Sequence, residues 1–182
     1  MSSVNSPESA LTSTDGDFVG FLRRNQIGAE RCEHPAVFTT AEAERHVPPL
    51  PGMKAKNLFL HDRQSGRNLL VVVPYAKRVD LKRLASTMGC GKLRFGSAEA
   101  LLELLGITPG AVSLLALYND RDQRVELVMD IDIWQAPAVQ CHPLVNTATM
   151  VISHDNIERF IAATGHVARV LEVPAAAPLI PG

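Results

Sequence analysis

Two apolar runs joined by a short polar segment constrain the fold of this chain more than any other feature. Residues Lys56–Asp62 and Asn68–Pro74 are rich in leucine, valine and phenylalanine, and Arg63–Arg67 between them contains a glycine. Runs of this length and composition favour β-strands, and a five-residue connection with a glycine is typical of a hairpin. We therefore predict a β-hairpin near the middle of the chain.

A proline-rich loop leads the chain into this hairpin. Residues 47–52 contain three prolines and a glycine, which remove backbone donors and restrict φ, so they cannot form regular structure. Lys56 and Asn57 then stand at the mouth of the first strand. A lysine held there can bind a phosphate or a carbonyl oxygen, whereas the ordinary alternative is a solvated lysine on a strand edge.

The rest of the chain alternates short helical and extended patterns. N-capping residues and terminal glycines bound the helices, and apolar runs between turn residues mark the strands. The predicted helices lie at residues 14–27, 40–46, 79–88, 97–105 and 155–164. The predicted further strands lie at residues 31–33, 93–95, 111–117, 125–130, 138–142, 148–152 and 166–173. Strands joined by tight turns and interleaved with helices favour an α/β fold of the α+β type, with a mixed, mainly antiparallel sheet of about seven strands surrounded by helices.

Length and composition indicate one domain. A chain of 182 residues with 46% apolar residues can bury a substantial core. Residues 1–13 are rich in Ser, Thr and Asn and are expected to form a disordered leader, and residues 174–182 are expected to form a flexible alanine-proline tail. The domain is therefore predicted to span residues 14–173.

A near-neutral total charge conceals one basic segment. The chain has a formal net charge of −1, but residues 54–94 contain ten Lys or Arg against two acidic residues. Two acidic residues cannot neutralise ten cations through helical pairing, so this segment has the charge expected of a polyanion-binding surface. The alternative is a solvated helix face.

Several classes of site are excluded. Cys32, Cys90 and Cys141 are far apart and form no C-x-x-C motif, which favours a reducing, cytoplasmic compartment and marks no thiol as activated. The histidines form no zinc motif, and Cys141-His142 has no second ligand pair, so we predict no metal and no cofactor. No apolar run approaches the roughly 18 residues that span a bilayer.

Two further sequence features do not support the sites that they resemble, a nucleotide-binding loop and a serine hydrolase. Gly89-Cys-Gly-Lys92 ends like a phosphate-binding loop, but Leu93 stands where Ser or Thr would bind magnesium and the first glycine is missing. A serine hydrolase is also disfavoured, because there is no G-x-S-x-G motif and Ser113 has no evident base.

Three polar segments stand at predicted strand ends, where ligands usually bind. They are Lys54–Asn57, Gly106–Ser113 and His142–Thr149. The glycines of the second segment can let a backbone approach a ligand, and His142 can donate or accept a proton near neutral pH. The ordinary alternatives are a helix end followed by a turn, and a histidine whose hydrogen bonds are internal.

These segments carry a resemblance to a known family. Lys56-Asn-Leu-Phe-Leu60, Gly106-x-x-Pro-Gly-x-Val-Ser113 and His142-Pro-x-x-Asn-Thr-Ala-Thr149, in this order and spacing, resemble the YbaK/prolyl-tRNA-synthetase-associated editing domain family. The similarity is greatest to its free-standing prolyl-tRNA editing members, which deacylate alanyl-tRNA(Pro). It implies a curved, mixed sheet and an aminoacyl-ester hydrolase acting in trans on mischarged tRNA.

The resemblance also implies roles for particular residues. The candidate catalytic residues are Lys56, Asn57 and His142. The candidate substrate-binding residues are Gly106, Pro109, Gly110, Ser113, Asn146 and Thr149. The basic segment, through its charge, supplies the candidate tRNA-binding residues Lys54, Lys77, Arg78, Lys82 and Arg83. The implied partner is the acceptor end of tRNA(Pro), with a weak association with translation factors or a synthetase as a further expectation.

The residues fit hydrolysis without a covalent nucleophile. An aminoacyl ester is already activated, so a positioned water and a polarised carbonyl suffice. Lys56 is assigned to anchoring a phosphate or carbonyl, because a lysine acts as a base only when burial lowers its pKa far below about 10.4. The alternative function is a non-catalytic RNA-binding or partner-binding module on the same fold.

Overall fold

A computed structural model describes residues 13–37, 42 and 45–177 of the chain. The predicted leader, except for Ser13, most of the predicted helix at 40–46 and residues 178–182 of the predicted tail lie outside the described residues. The helices are α1 (Ser13–Arg24), α2 (Leu81–Met88), α3 (Ala98–Leu105), α4 (Ile131–Gln135) and α5 (His154–Ala163), with a 3-10 helix at Leu114–Tyr118. The strands are β1 (Glu30–Glu33), β2 (Met53–Asp62), β3 (Asn68–Pro74), β4 (Leu93–Phe95), β5 (Val125–Asp130), β6 (Ala138–Cys141), β7 (Ala148–Ser153) and β8 (Ala168–Leu171).

The strands form one mixed sheet, as predicted. Its order is β1-β7-β6-β2-β3-β5-β8, and β4 pairs with β2 outside this path. The antiparallel pairs are β1–β7, β2–β3, β2–β4 and β6–β7, and the parallel pairs are β2–β6, β3–β5 and β5–β8. The predicted hairpin is β2–β3, with Asn57 opposite Val72 and Lys56 opposite Val73.

Two apolar cores lie on opposite faces of the hairpin. Phe59, Leu70 and Val72 pack with residues of α1, α3, α5 and the 3-10 helix. The intervening positions, such as Leu60 and Val73, pack against Leu84, Ala85 and Met88 of α2. Because successive strand residues point to opposite faces, nearly every residue of β3 is buried.

The sheet splits beside β2. One edge of β2 pairs with β3 along residues 55–61. On its other edge, β2 pairs with β6 only at Met53 and Lys54 and with β4 only at residues 60–62. Between these two partners, the described residues provide no strand for residues 55–59, and a cavity opens next to the gap.

Local patterns explain where the helices begin and end. Asp80 accepts hydrogen bonds from the amides of Lys82 and Arg83 at the start of α2, and Gly89 ends that helix with φ of 64°. Ser97 caps α3 in the same way, and Gly106 ends it with φ of 61°. These contacts confirm the prediction that N-capping residues and terminal glycines bound the helices at these two places.

Several predicted elements were wrong in their type or their bounds. Residues 111–117 are not a strand: the Ser113 hydroxyl accepts from the amide of Leu115 and starts a 3-10 helix, since a short apolar run fits either structure. The first helix ends at Arg24 rather than residue 27, because Gln26 adopts a left-handed φ of 56°. Strand β2 begins at Met53, so Lys56 and Asn57 lie inside the strand and not at its mouth. The last strand is confined to Ala168–Leu171.

Candidate active site

The cavity beside the gap in the sheet has a volume of about 150 Å³. Strands β2, β6 and β7 supply most of its walls, and Val37, Val47, Tyr75 and His142 from the connecting segments supply the rest. The lining residues are Val37, Val47, Lys54, Ala55, Asn57, Tyr75, Gln140, Cys141, His142 and Thr149. Four of the predicted site residues, Lys54, Asn57, His142 and Thr149, therefore meet at one place.

Asn57 supplies an unpaired hydrogen-bond acceptor to this cavity. Its side-chain oxygen Oδ1 is buried and has no hydrogen-bond partner among the described residues. A buried polar atom left unpaired costs about 1–3 kcal/mol, so such atoms are rare unless a ligand or water completes them. Asn57 is therefore poised to accept a hydrogen bond from a bound molecule.

His142 presents a second acceptor. Its Nδ1 lies 3.1 Å from the carbonyl oxygen of Ala148, and a carbonyl only accepts, so Nδ1 carries the proton. Burial lowers the pKa of His142 below its ordinary value, and the nearby His34 lowers it further, although the bond to Ala148 opposes the shift. The ring is therefore neutral at pH 7 and Nε2 keeps its lone pair.

Thr149 is oriented by a histidine that sequence reasoning missed. His34 is buried, and its Nδ1 lies 2.8 Å from the carbonyl oxygen of Pro35, so this nitrogen donates. The other ring nitrogen, Nε2, lies 3.0 Å from the Thr149 hydroxyl and, in the neutral ring, accepts its hydrogen. A signal was present: His34-Pro35 is the same dipeptide as His142-Pro143.

Gln140 ties the proline-rich loop to the cavity wall. Its Nε2 lies 2.9 Å from the carbonyl oxygen of Leu50 and 3.2 Å from those of Pro51 and Gly52. Gly52 has φ of +87°, and a side chain there would come within 3.0 Å of the backbone of Ala138. Only glycine lets the loop approach β6 this closely.

Lys56 lies on the other face of β2. Its neighbour Asn57 faces the cavity, and alternation along the strand turns Lys56 away from it, so Lys56 is absent from the lining. Burial lowers the pKa of Lys56, and the positive charge of Arg78 lowers it further. The structure therefore places Lys56 beside Arg78, while Lys54 reaches the cavity.

The glycine-proline segment lies away from the cavity. Gly106, Pro109 and Gly110 are exposed, and none of them lines it. Ser113 is fully buried, and its hydroxyl caps the 3-10 helix.

Asn146 also lies outside the lining. Its side-chain amide and backbone carbonyl both bond to the backbone of Val37, which extends the pairing of β1 with β7. Asn146 thereby holds the Val37 wall of the cavity in place.

The basic segment divides into structural and exposed cations. Lys77 Nζ lies 2.6 Å from a carboxylate oxygen of the fully buried Asp130 and 3.3 Å from the Val173 carbonyl, so it is an internal ion pair. Arg78, Lys82 and Arg83 are exposed. Their side chains form no ion pair within the described part of the chain.

Buried Asp62 organises the segment that resembled a phosphate loop. The Ser65 hydroxyl donates to its carboxylate at 2.6 Å, and the amides of Gln64, Gly91 and Lys92 donate as well. These bonds, that of Ser65 first, hold the pKa of Asp62 well below its usual range despite burial. The loop amides thus bind an internal carboxylate, which agrees with the rejection of a nucleotide site.

Neither a metal centre nor a membrane span emerges from the described residues. No group of three or more His, Cys, Asp or Glu side chains there is placed to hold a metal ion. No described helix is long and apolar enough to cross a membrane.

Comparison with known proteins identifies the family. The model of the aminoacyl-tRNA editing domain matches residues 34–160. The chain belongs to the aminoacyl-tRNA editing domain family. The matched range begins at His34 and contains all the residues that line the cavity.

Relatives extend this result to most of the chain. It is 37% identical over 153 residues to the prolyl-tRNA synthetase associated domain-containing protein 1 of Danio rerio. This match covers 83% of each of the two chains. It is 35% identical over 141 residues to the prolyl-tRNA editing protein ProX of Acetoanaerobium sticklandii, which covers 78% of this chain and 86% of that one. A crystal structure of a candidate trans-editing enzyme for prolyl-tRNA synthetase has the same fold, with a TM-score of 0.68, 23% identity and coverage of 92% of this chain and 100% of that chain.

Proposed function

We propose that this protein hydrolyses the ester bond of mischarged tRNA(Pro), with alanyl-tRNA(Pro) as its substrate. The observation that carries the proposal is a small cavity with the buried, unpaired Asn57 oxygen in its wall and exposed cations outside it. The names of the related proteins, which refer to prolyl-tRNA editing and to prolyl-tRNA synthetase, support the choice of tRNA.

The size of the cavity favours a small acyl group. A volume of about 150 Å³ is half the lower end of the range for drug-sized ligand pockets, about 300 Å³, and matches engineered cavities that admit benzene. A nucleoside does not fit beside an amino acid in this space. The terminal adenosine therefore stays outside, and only the aminoacyl group enters.

Water is the nucleophile in this proposal. Cys141 lines the cavity, but burial raises the pKa of its thiol to about 12, so it stays protonated and unreactive. Neutral His142 has an Nε2 to which no described residue is bonded, and this nitrogen can accept a hydrogen bond from water or from a ribose hydroxyl. Asn57 can orient the aminoacyl group through its unpaired oxygen.

Lys56 and Arg78 are assigned to a phosphate. The two cations are close enough for Arg78 to lower the pKa of Lys56, and Lys56 is turned away from the cavity. A pair of adjacent cations suits a phosphate near the 3′ end of the tRNA better than the ester carbonyl inside the cavity.

A deacylation assay tests the function. The protein should hydrolyse alanyl-tRNA(Pro) in preference to cysteinyl- and prolyl-tRNA(Pro). Loss of none of the three esters above background would instead favour the non-catalytic binding module.

Lys56→Ala tests the assignment of the lysine, and Lys54→Ala provides a comparison with the neighbouring lysine that lines the cavity. If Lys56 anchors the substrate, its removal should leave the fold intact and slow deacylation by about 100-fold, the scale for losing one preorganised electrostatic contact. Lys54→Ala should have a milder effect. Wild-type turnover by a folded Lys56→Ala protein would remove Lys56 from the mechanism.

A further inference from the structure

Three polar side chains of the cavity wall, those of His142, Thr149 and Gln140, share one property: their hydrogen-bonding hydrogens are already used inside the protein. His142 donates from Nδ1 to Ala148. Thr149 donates its hydroxyl hydrogen to His34. Gln140 donates from Nε2 to the carbonyls of the proline-rich loop.

Three acceptors are left over by these bonds. They are Nε2 of His142, the lone pairs of Thr149 Oγ1 and the buried Oδ1 of Asn57, and none has a further partner among the described residues. An anion would be repelled by such a set, whereas a group with several N–H donors would satisfy it. In an aminoacyl ester, the α-ammonium group offers three.

We propose that the Asn57, Thr149 and His142 acceptors bind the free α-ammonium group of the substrate, so that esters with a blocked amine are rejected. The inference rests on the proposed function and deepens it by naming the substrate class as unblocked aminoacyl esters. N-acylated esters, of which a peptidyl ester is one, carry a single amide N–H and leave at least two acceptors unpaired.

His34 is a positioning residue in this scheme. Its Nδ1 is fixed as a donor by Pro35, so its Nε2 accepts the Thr149 hydrogen and turns the Thr149 oxygen into a pure acceptor. Without His34, the Thr149 hydroxyl is free to rotate and to donate into the cavity, where it would compete with the ammonium group. His34 thereby determines that the Thr149 hydroxyl acts toward the ligand as an acceptor and not as a donor.

Binding of amide-linked mimics tests the inference independently of hydrolysis. Alanyl-3′-amino-3′-deoxyadenosine and its N-acetyl derivative share all atoms except the blocking group, and neither contains an ester. Titration of each into the full-length protein, followed by NMR or calorimetry, should show at least about tenfold tighter binding of the free amine, because blocking leaves buried acceptors unpaired. Equal binding, or no binding of either, would overturn the inference.

Hydrolysis of alanyl-tRNA(Pro) and N-acetylalanyl-tRNA(Pro) separates this inference from the proposed function. We expect the blocked ester to be cleaved at least about 100-fold more slowly than the free one. Sites built to bind an N–H group reject analogues that lack it. Equal cleavage of both esters overturns amine recognition and leaves the deacylase standing. Cleavage of neither ester refutes the deacylase, and the mimics then decide amine recognition.

Variants of Thr149 and His34 test the positioning role. Thr149→Ser retains the hydroxyl and should retain the preference for the free amine, whereas Thr149→Val should reduce it. His34→Phe should reduce the preference in the wild-type background but not in the Thr149→Val background, because His34 acts through that hydroxyl. Additive effects of the two changes in proteins with normal thermal unfolding would overturn the role of His34.

Discussion

Two regions of the molecule bury polar groups in opposite ways. Asp62 and Asp130 are fully buried carboxylates, and each accepts at least three hydrogen bonds from the protein. In the cavity, the Asn57 oxygen is buried and has no partner in the part of the chain that the structure describes. Polar groups whose hydrogen bonds are all made inside the protein stabilise the scaffold. Polar groups that lack an internal partner are available to bind a ligand.

The difference also separates lysines that look alike in the sequence. Lys77 lies within the basic segment, but its ammonium is bound to Asp130 and contributes to the scaffold. No carboxylate among the described residues pairs with Lys56, and its pKa is lowered by burial and by Arg78. The number of internal partners, and not the residue type, predicts which cation is available to a substrate.

The largest expected effect is on the scaffold. Asp130→Ala leaves the Lys77 ammonium without its carboxylate, which should reduce the free energy of unfolding by about 3–5 kcal/mol. Chemical denaturation followed by circular dichroism measures this loss. The control is Asp132→Ala, because Asp132 is mostly exposed and 3.8 Å from Lys77, and it should change stability by less than about 1 kcal/mol. Equal losses for the two variants would contradict the distinction.

The next effect should fall on activity alone. Asn57→Ala removes an acceptor that has no partner among residues 13–37, 42 and 45–177, so deacylation should slow by about 100-fold while the unfolding temperature changes little. Asn68 on β3 is a matched control, since its Oδ1 lies 2.9 Å from Nδ1 of His61 and is already paired. Asn68→Ala should reduce stability and leave turnover intact. A loss of turnover in Asn68→Ala together with a loss of stability in Asn57→Ala would show that internal hydrogen bonding does not distinguish the two regions.

Acid should affect the cavity before the scaffold. The folded-state pKa of His142 is lowered below 6.5, so its acceptor nitrogen is lost only as pH falls below that value, and the acid limb of the deacylation rate should lie there. Unfolded chains protonate His142 near 6.5, so some stability is also lost from there downward. Asp62, with its pKa lowered from 3.8, stabilises the fold until pH falls below that ordinary value. Parallel measurements of turnover and unfolding across pH should therefore show activity declining before the Asp62-dependent loss of stability, and a decline of both at the same pH would refute the order.

The smallest effect should come from exposed cations. Replacing Lys82 and Arg83 together by Gln should weaken tRNA binding and reduce the salt slope of log affinity by about one to two units, because two phosphate contacts are removed. Lys77 is left unchanged because it belongs to the scaffold. The adjacent exposed pair Arg23 and Arg24 at the end of α1 provides a control with the same change in charge. Identical slopes in the two double variants would exclude α2 from the RNA-binding surface.

Local signals predicted much of the fold. The hairpin, β4, β5 and both glycine-terminated helices depend on turn chemistry and apolar patterns within a few residues. The five-residue helix α4 was missed because its start depends on the Asp130 side chain accepting from the amide of Asp132. The first residues of β2 were missed because Met53 and Lys54 are held by parallel pairing with β6, a partner more than 80 residues away.

The site was predictable only in part, for the same reason. Asn57, His142 and Thr149 stand in recognisable segments, and the structure brings them together. His34 was missed because its role depends on a contact with Thr149, 115 residues along the chain. The Gly106–Gly110 segment has a strong pattern but lies away from the cavity, since its local role is to end α3 and lead into the 3-10 helix.

The long reach of these contacts has a consequence for synthesis. The cavity needs β2, which emerges early from the ribosome, and β6 and β7, which follow about 80 to 100 residues later. Until residues 138–153 emerge, one edge of β2 lacks its β6 partner, and an unpaired strand edge is a template for association between nascent chains. Non-local pairing of this kind also slows folding, so the cavity forms only after most of the polypeptide has been translated.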